Sequence, residues 1–166
     1  IKKLIITNIW IFDHLLILLN IELKRMKETG ILNRDLSSIL AEQGHGDRLM
    51  VVDAGFAIPK GVKVLDLSLK ANFPTVCDVI TELKEHFSVE GVIMSKETKK
   101  VNPSFYKSIL KVFEMDNKAK LLDHTELTAM ASDVKAVIRT GDFTAYGNVI
   151  LISGVGNRWY FETEIE

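Results

Sequence analysis

A short apolar run, Leu49-Met50-Val51-Val52, ends at Asp53 and is followed at once by the turn-forming pair Ala54-Gly55. Four consecutive apolar residues without alternation are typical of a strand that is buried on both faces of a sheet. In open sheets covered by helices, ligands bind outside the carboxyl ends of the strands. Asp53 is therefore either a turn former or a ligand-binding carboxylate, and the pattern alone leaves both interpretations open.

Helical and strand patterns alternate on either side of this segment. The predicted strands are Leu49–Val52, Val64–Leu67, Val89–Ser95, Lys120–Leu122, Ala136–Arg139 and Val149–Ile152. The predicted helices run from Asn33 to Gly44, from Pro74 to Phe87, from Asn102-Pro103 through Phe113, and from Thr125 to Ser132. Asn33 is expected to cap the first helix and Gly44 to end it in the left-handed conformation. The alternation predicts a single α/β domain whose mostly parallel sheet is covered by helices on both faces.

The first 25 residues have a different composition, with seven Ile, six Leu, three Lys and two Asn. A signal sequence and a membrane anchor are two interpretations, but the segment lacks a small-residue cleavage site and carries Asp13 and His14 in its apolar middle. The composition favours a third interpretation, an extension that is not native coding sequence. We therefore divide the chain into an extension at 1–25, one domain at 26–155 and a tail at 156–166.

The overall composition limits the partners and the chemistry. The chain has 166 residues with a formal net charge of −1, so no long-range field favours nucleic acid or an anionic membrane. The single cysteine, Cys77, cannot form an intramolecular disulfide, and we expect a cytoplasmic location. Phosphate-binding glycine loops, serine nucleophile elbows and spaced metal ligands are absent from the sequence, so we expect no zinc or other metal site.

Two histidines are candidates for chemistry. His45 lies between Gly44 and Gly46 after the first helix, where it either stabilises a helix end or acts as an acid/base group with room for a ligand. His124 stands where the last short helix begins, and there it is either a capping residue or a neutral imidazole that accepts a hydrogen bond. A third histidine, His86, ends a helix and is better explained by the helix dipole.

Tyr146, Gly147 and Asn148 precede the last strand, whereas Asp53 follows the first. The three residues either frame a turn or offer an aromatic face and an amide to a sugar. If the two strands are parallel, these groups lie on opposite edges of the sheet and meet only across a subunit boundary. If the strands are antiparallel, they meet within one chain. The first alternative predicts an oligomer.

An ordered set of residues resembles the ribose pyranase/fucose mutarotase family, from about Met26 to Val155. The matching positions are Met26-Lys27, Gly30, Leu32-Asn33, Gly44-His45, Asp53-Ala54-Gly55, Ile58-Pro59, Asp66, Asn102-Pro103, His124, Ile138-Arg139-Thr140-Gly141 and Tyr146-Gly147-Asn148. The Asp-Ala-Gly-x-x-Ile-Pro run looks like the ribose branch, and other motifs are also similar to the fucose branch.

The resemblance implies a cofactor-independent isomerase that interconverts the pyranose and furanose forms, and the anomers, of free D-ribose. It implies His45 as the acid/base residue and a sugar site formed by Asp53, His124, Tyr146, Gly147 and Asn148. It also implies a ring-shaped homodecamer with sites at subunit boundaries. Thr128 stands where the ribose branch often has a lysine, which bears on the preferred sugar.

Three alternatives to this function are considered. A fucose-type mutarotase of the same family would act on a different sugar, a non-catalytic sugar-binding module would hold ribose without converting it, and a membrane-tethered protein would use residues 1–25 as an anchor. The first two share the site residues named above and differ in what happens to the bound sugar.

Overall fold

The computed structural model describes residues 26–115 and 119–156. The predicted extension at 1–25, with His14, lies outside these residues, as do positions 157–166 of the predicted tail. The strands are β1 (Arg48–Val52), β2 (Val64–Asp66), β3 (Val89–Ser95), β4 (Lys120–Leu122), β5 (Ala136–Arg139) and β6 (Val149–Ser153). The helices are α1 (Arg34–Ala41), α2 (Val76–His86), α3 (Lys96–Val101), α4 (Pro103–Val112) and α5 (His124–Met130), followed by a 3₁₀ turn at Ala131–Asp133.

The six strands form one sheet in the order β2-β5-β1-β6-β3-β4. β1 pairs in parallel with β5, β5 with β2, and β3 with β4, whereas β6 is antiparallel to both β1 and β3. All six predicted strands are confirmed, and the α/β class with them. The sheet, predicted as mostly parallel, is mixed, because β6, one of its two central strands, runs opposite to the other five.

Both faces of the sheet are covered, as predicted. On one face, Leu49 and Val51 of β1 pack in a large cluster with α1, α2 and α4. On the other face, Met50 and Val52 pack in a smaller cluster with Leu127 of α5. Successive residues of β1 therefore bury alternate side chains in two cores, which is why the strand is apolar throughout.

Local hydrogen bonds fix the ends of the helices. Asn33 caps α1, as expected, with its side chain accepting from the N–H of Leu36 at 2.8 Å. The expectation for Gly44 is wrong, since α1 ends at Ala41 and the left-handed glycine is Gly46, at φ 80°. The Asp47 carboxylate accepts a hydrogen bond from the Gly44 N–H at 2.8 Å. Residues 44–47 therefore form a separate turn and are not the end of the helix.

Candidate active site

Asp53 and Asn148 meet at the carboxyl end of β1. Asn148 Nδ2 donates to Asp53 Oδ2 at 3.0 Å, and the backbone N–H of Asp53 donates to Asn148 Oδ1 at 3.1 Å. The other carboxylate oxygen, Oδ1, accepts from the Gly55 N–H at 2.9 Å. With Asn148 only 2% exposed, this reciprocal pair holds the Asp53 carboxylate in one orientation.

The antiparallel direction of β6 explains this meeting. Residues that precede β6 lie at the same edge of the sheet as residues that follow β1, so Asn148 reaches Asp53 within one chain. Of the two alternatives that the sequence leaves open, the antiparallel one is correct. The separation of these two residues therefore gives no argument for an oligomer.

Tyr146 stands in a tightly held turn just before Asn148. Its φ of 59° is left-handed, a conformation that a side chain makes unfavourable by about 1–2 kcal/mol. The Thr98 hydroxyl donates to the Tyr146 carbonyl at 2.7 Å, and the Asn102 amide donates to the Ala145 carbonyl at 2.6 Å. Gly147 is buried beneath the turn, where a Cβ would lie 2.8 Å from the Thr144 carbonyl oxygen. The turn therefore presents the Tyr146 ring from a fixed backbone.

His124 is the first residue of α5, with Asp123 at the N-cap, so its expected place at a helix start is confirmed. Its ring lies edge-on to the ring of Tyr146, with centroids 4.9 Å apart and an interplanar angle of 84°. Its Nδ1 atom is buried and has no hydrogen-bond partner among the described residues. Buried polar atoms are normally paired, so this nitrogen has capacity for a ligand hydroxyl.

These groups surround one pocket of about 360 Å³. Its lining residues are Asp53, Gly55, Phe56, Ala57, His124, Thr128, Ala145, Tyr146 and Asn148. The volume falls near the lower end of the roughly 300–1,000 Å³ that is typical of small-molecule sites. A carboxylate, an imidazole, an amide and two hydroxyls around a small apolar floor suit a polyhydroxylated ligand. We call this region at the carboxyl end of β1, defined by Asp53, His124, Tyr146 and Asn148, the pocket edge.

Four of the predicted sugar-site residues, Asp53, His124, Tyr146 and Asn148, line the pocket together. Gly147 supports the turn and does not line the pocket. Thr128 also lines the pocket, and its hydroxyl donates to the His124 carbonyl at 2.9 Å.

Arg139 supports the pocket from behind. Its Nη2 and Nε donate to the Ala54 carbonyl at 2.8 and 3.3 Å, and its Nη1 donates to Asp66 at 2.7 Å and Ser68 at 2.9 Å. The Ala54 N–H is bound in turn by the Asp142 carbonyl at 2.9 Å. Ala54, which follows Asp53, is thus fixed through both its N–H and its carbonyl group.

His45 lies at the opposite edge of the sheet. It precedes β1 whereas Asp53 follows it, and the five residues of β1 separate the two edges by roughly 17 Å. Its Nε2 is 2.8 Å from Glu90 Oε2, and its side chain is 63% exposed. Within one chain His45 does not reach the pocket edge. We call this second region, defined by His45 and Glu90, the His45 edge.

The remaining candidates have structural surroundings. His86 is the last residue of α2, as predicted, and its Nε2 lies 3.2 Å from Glu82 Oε1 on the same helix. Cys77 is half-buried against the larger core, and burial, together with the carboxylates of Asp142 and Asp78, raises the pKa of its thiol. A raised thiol pKa disfavours the nucleophilic thiolate at neutral pH, which agrees with a packing role.

Sequence patterns gave no role to three residues that the structure connects to the site. Thr98 lies in α3, a helix that was not predicted because Lys96–Val101 has only one large apolar residue. Arg139 belongs to the motif set, yet its hold on Ala54 depends on tertiary structure. Glu90 carries no local signal, since an exposed carboxylate in a strand is common on protein surfaces.

None of the helices in the described residues is long and apolar enough to span a membrane. Nor do residues 26–115 and 119–156 contain a cluster of three or more His, Cys, Asp or Glu that could hold a metal ion.

A mixed sheet with helices on both faces and a small polar pocket at the strand ends defines an α/β protein with a pocket suited to a small hydroxylated ligand. Residues 26–156 match the model of the RbsD / FucU transport protein family. Over 131 residues the chain is 46% identical to D-ribose pyranase of Kosmotoga olearia, covering 78% of this chain and 98% of that protein. It is 43% identical over 130 residues to D-ribose pyranase of Bacillus subtilis, with the same coverage. The chain belongs to the RbsD / FucU family.

Solved structures agree with this assignment. The structure of Bacillus subtilis RbsD complexed with D-ribose has a TM-score of 0.74 at 43% identity, over 78% of this chain and 98% of that one. The fucose mutarotase of Streptococcus pneumoniae, in complex with L-fucose, has a TM-score of 0.65 at 18% identity, over 75% of this chain and 94% of that one. The second likeness shows the shared fold alone.

Proposed function

We propose that this chain is an isomerase that interconverts the pyranose and furanose forms, and the anomers, of free D-ribose without a cofactor. One observation carries the proposal: four polar side chains, including a buried imidazole nitrogen that no described residue pairs with, converge on a pocket of monosaccharide scale. Similarity to D-ribose pyranases over nearly their full length supports the choice of ribose.

Ring opening removes a proton from the anomeric hydroxyl and delivers one to the ring oxygen. Reclosure through a different hydroxyl reverses both transfers and yields the other ring form. A group that titrates near neutrality serves both transfers, and such general acid–base catalysis typically supplies 10²–10⁴-fold. Proton transfers alone are needed, so the proposal includes neither metal nor cofactor.

The pocket edge holds the sugar in this proposal. The Asp53 carboxylate keeps acceptor capacity beyond its bonds to Asn148 and Gly55, and therefore accepts from sugar hydroxyls. His124 Nδ1 and the Asn148 amide bind further hydroxyls, while the Tyr146 ring covers an apolar face. Thr128 supplies a hydroxyl where a longer cationic side chain would otherwise reach the ligand, so this position bears on which aldose fits.

His45 supplies the acid/base group, and it comes from a neighbouring copy of the chain. Because roughly 17 Å separates the two edges, one chain does not bring His45 to its own pocket, which supports this arrangement. A ring-shaped homo-oligomer, a decamer in our proposal, brings the His45 edge of one copy to the pocket edge of the next. Native mass spectrometry measures the subunit number directly, and a monomer would contradict this arrangement. A cytoplasmic location is part of the proposal, since one cysteine forms no intramolecular disulfide.

Magnetisation-exchange NMR tests the activity, because the pyranose and furanose forms of ribose give separate signals. The protein should accelerate their exchange for ribose, and L-fucose measured alongside tests the alternative substrate. Binding of ribose without faster exchange would identify a sugar-binding module instead.

Mixed oligomers test the shared site. Assayed at ribose concentrations below KM, the variants His45→Ala and Asp53→Asn should each lose most activity when expressed alone. Co-expression should restore up to about a quarter of the parent activity, because random assembly places an intact His45 beside an intact Asp53 at about one site in four. Oligomers that remain inactive after mixing would show that the two residues do not act in one site between copies.

A further inference from the structure

The His45–Glu90 pair joins two distant parts of the chain. His45 Nε2 and Glu90 Oε2 lie 2.8 Å apart although 45 positions separate the residues. Their side chains are 63% and 44% exposed, and ion pairs this exposed contribute only about 0–1 kcal/mol to stability. Stability is therefore a weak reason for so close a contact.

The backbone of β3 is irregular where it presents Glu90. In the pairing of β3 with β6, Val89 faces Ser153 and Gly91 faces Ile152, which leaves Glu90 unpaired at a bulge. Bulges of this kind re-aim a side chain, and they are common beside functional sites. A Cβ on Gly154 would lie 2.6 Å from Glu90 Cβ and 2.9 Å from Glu90 N, so a glycine is needed here for the bulge to pack.

The loop that carries His45 is anchored to the same end of β6. Gly46 N–H donates to the Ser153 carbonyl at 2.8 Å, and the Ser153 N–H donates to the Asp47 carbonyl at 2.8 Å. Ser153 also faces Val89 in β3, and the Gly154 N–H donates to the Ser88 carbonyl at 2.9 Å. The backbones on either side of His45 and Glu90 are thus fixed to one short segment.

From this geometry we infer that Glu90 is a positioning residue for the isomerisation, acting through His45. A carboxylate only accepts hydrogen bonds, so the neutral imidazole carries its proton on Nε2 and keeps the lone pair on Nδ1. Nδ1 is then the nitrogen that takes the proton of the anomeric hydroxyl and returns one to the ring oxygen. While the His45 imidazole carries a proton on both nitrogens, the Glu90 carboxylate stabilises this imidazolium. The inference rests on the proposed role of His45.

The variant Glu90→Gln tests this role, with Glu82→Gln as its matched control. Glu82 pairs with His86 at 3.2 Å on the surface of α2, so the control breaks a similar contact away from the site. In Glu90→Gln we expect kcat to fall roughly tenfold with KM unchanged, a part of the 10²–10⁴ that general acid–base catalysis supplies. Glu82→Gln should match the parent in both constants.

Long-range ¹H–¹⁵N correlations of the imidazole rings give a readout that does not depend on activity. His45 of the parent should show the Nε2–H tautomer, and Glu90→Gln should show a mixed population, because an amide donates as well as accepts. If the His45 signals and kcat are the same in Glu90→Gln as in Glu82→Gln, the inference is overturned. If the parent does not accelerate ribose exchange, the proposed function fails. The tautomer comparison still decides whether Glu90 sets the tautomer of the His45 imidazole.

Discussion

The two edges of the sheet are built in opposite ways. At the pocket edge, Asp53 and Asn148 bind one another reciprocally and Asn148 is 2% exposed. At the His45 edge, the side chain of His45 is 63% exposed and has one hydrogen-bond partner among the described residues, Glu90. The polar groups of the pocket edge pair within their own chain, whereas the imidazole of the His45 edge faces outward.

In the proposed mechanism, this difference separates ligand binding from proton transfer. Fixed donors and acceptors hold a ligand with little loss of side-chain entropy, and they need a rigid backbone, which the bonds to Ala54, Ala145 and Tyr146 supply. An acid/base group needs only reach and orientation, so it can be contributed from the surface of a neighbouring copy. Substitutions at the two edges should accordingly affect different constants.

The largest effect is expected for His45→Ala, which should lower kcat for ribose exchange by about 10²–10⁴-fold. Because the side chain is exposed, the melting temperature should stay within a degree or two of the parent. His86→Ala, which removes another glutamate-paired surface histidine, is the matched control and should keep full activity. NMR exchange measures kcat and thermal unfolding measures stability. Full activity of His45→Ala would remove this residue from the mechanism and, with it, the division between the edges.

Asp53→Asn should act on binding instead. Hydrogen bonds to charged groups contribute about 1.5–3 kcal/mol, so the loss of the carboxylate should weaken ribose binding roughly 10–100-fold. Calorimetry gives the affinity, and exchange rates should show KM rising more than kcat falls. The control Asp78→Asn changes a capping carboxylate on α2 and should bind ribose normally. A fall in kcat with unchanged affinity would place Asp53 with the proton-transfer groups.

How far the sequence predicts this arrangement differs between the strands and the site. Apolar runs were enough for all six strands, including β1 and β6. They did not indicate the direction of β6, because Val149–Ser153 is buried on both faces whichever way it runs. The opposite placement of His45 and Asp53 follows from their order around β1 alone. The sequence could not assign a role to Glu90 or Arg139. The bulge at Glu90 and the hydrogen bond from Arg139 to the distant Ala54 carbonyl leave no local sequence pattern.

Gly147→Ala tests whether the turn fixes the pocket edge. The new methyl group would lie 2.8 Å from the Thr144 carbonyl oxygen, and overpacking of this kind typically lowers stability by about 1–3 kcal/mol. Movement of Tyr146 should also weaken ribose binding. Gly61→Ala is the comparison: it strains a left-handed backbone at φ 85° but meets nothing within 4 Å, so it should lower stability and leave ribose binding intact. Urea unfolding and calorimetry measure both effects. Equal ribose affinity in the two variants would show that the pocket does not depend on this turn.

The smallest effect is expected for Asp66→Asn, behind the pocket edge. Its hydrogen bonds from Ser68 and the nearby Arg139 guanidinium hold the pKa of Asp66 below its usual range. A depressed carboxyl pKa stabilises the folded state above the pKa of the unfolded chain, and that contribution disappears as pH falls through the folded-state value. The variant should therefore lose at most about 1 kcal/mol at pH 7, since Asp66 is half exposed, and the difference from the parent should shrink below about pH 4. Urea unfolding at pH 7 and pH 3 measures this difference in stability.

Asp133→Asn, which breaks the more exposed pair with Arg48, is the control and should change stability less at pH 7. A stability difference that grows as the solution is acidified would contradict the role of Asp66 in holding Arg139 and, through it, the Ala54 carbonyl beside the pocket.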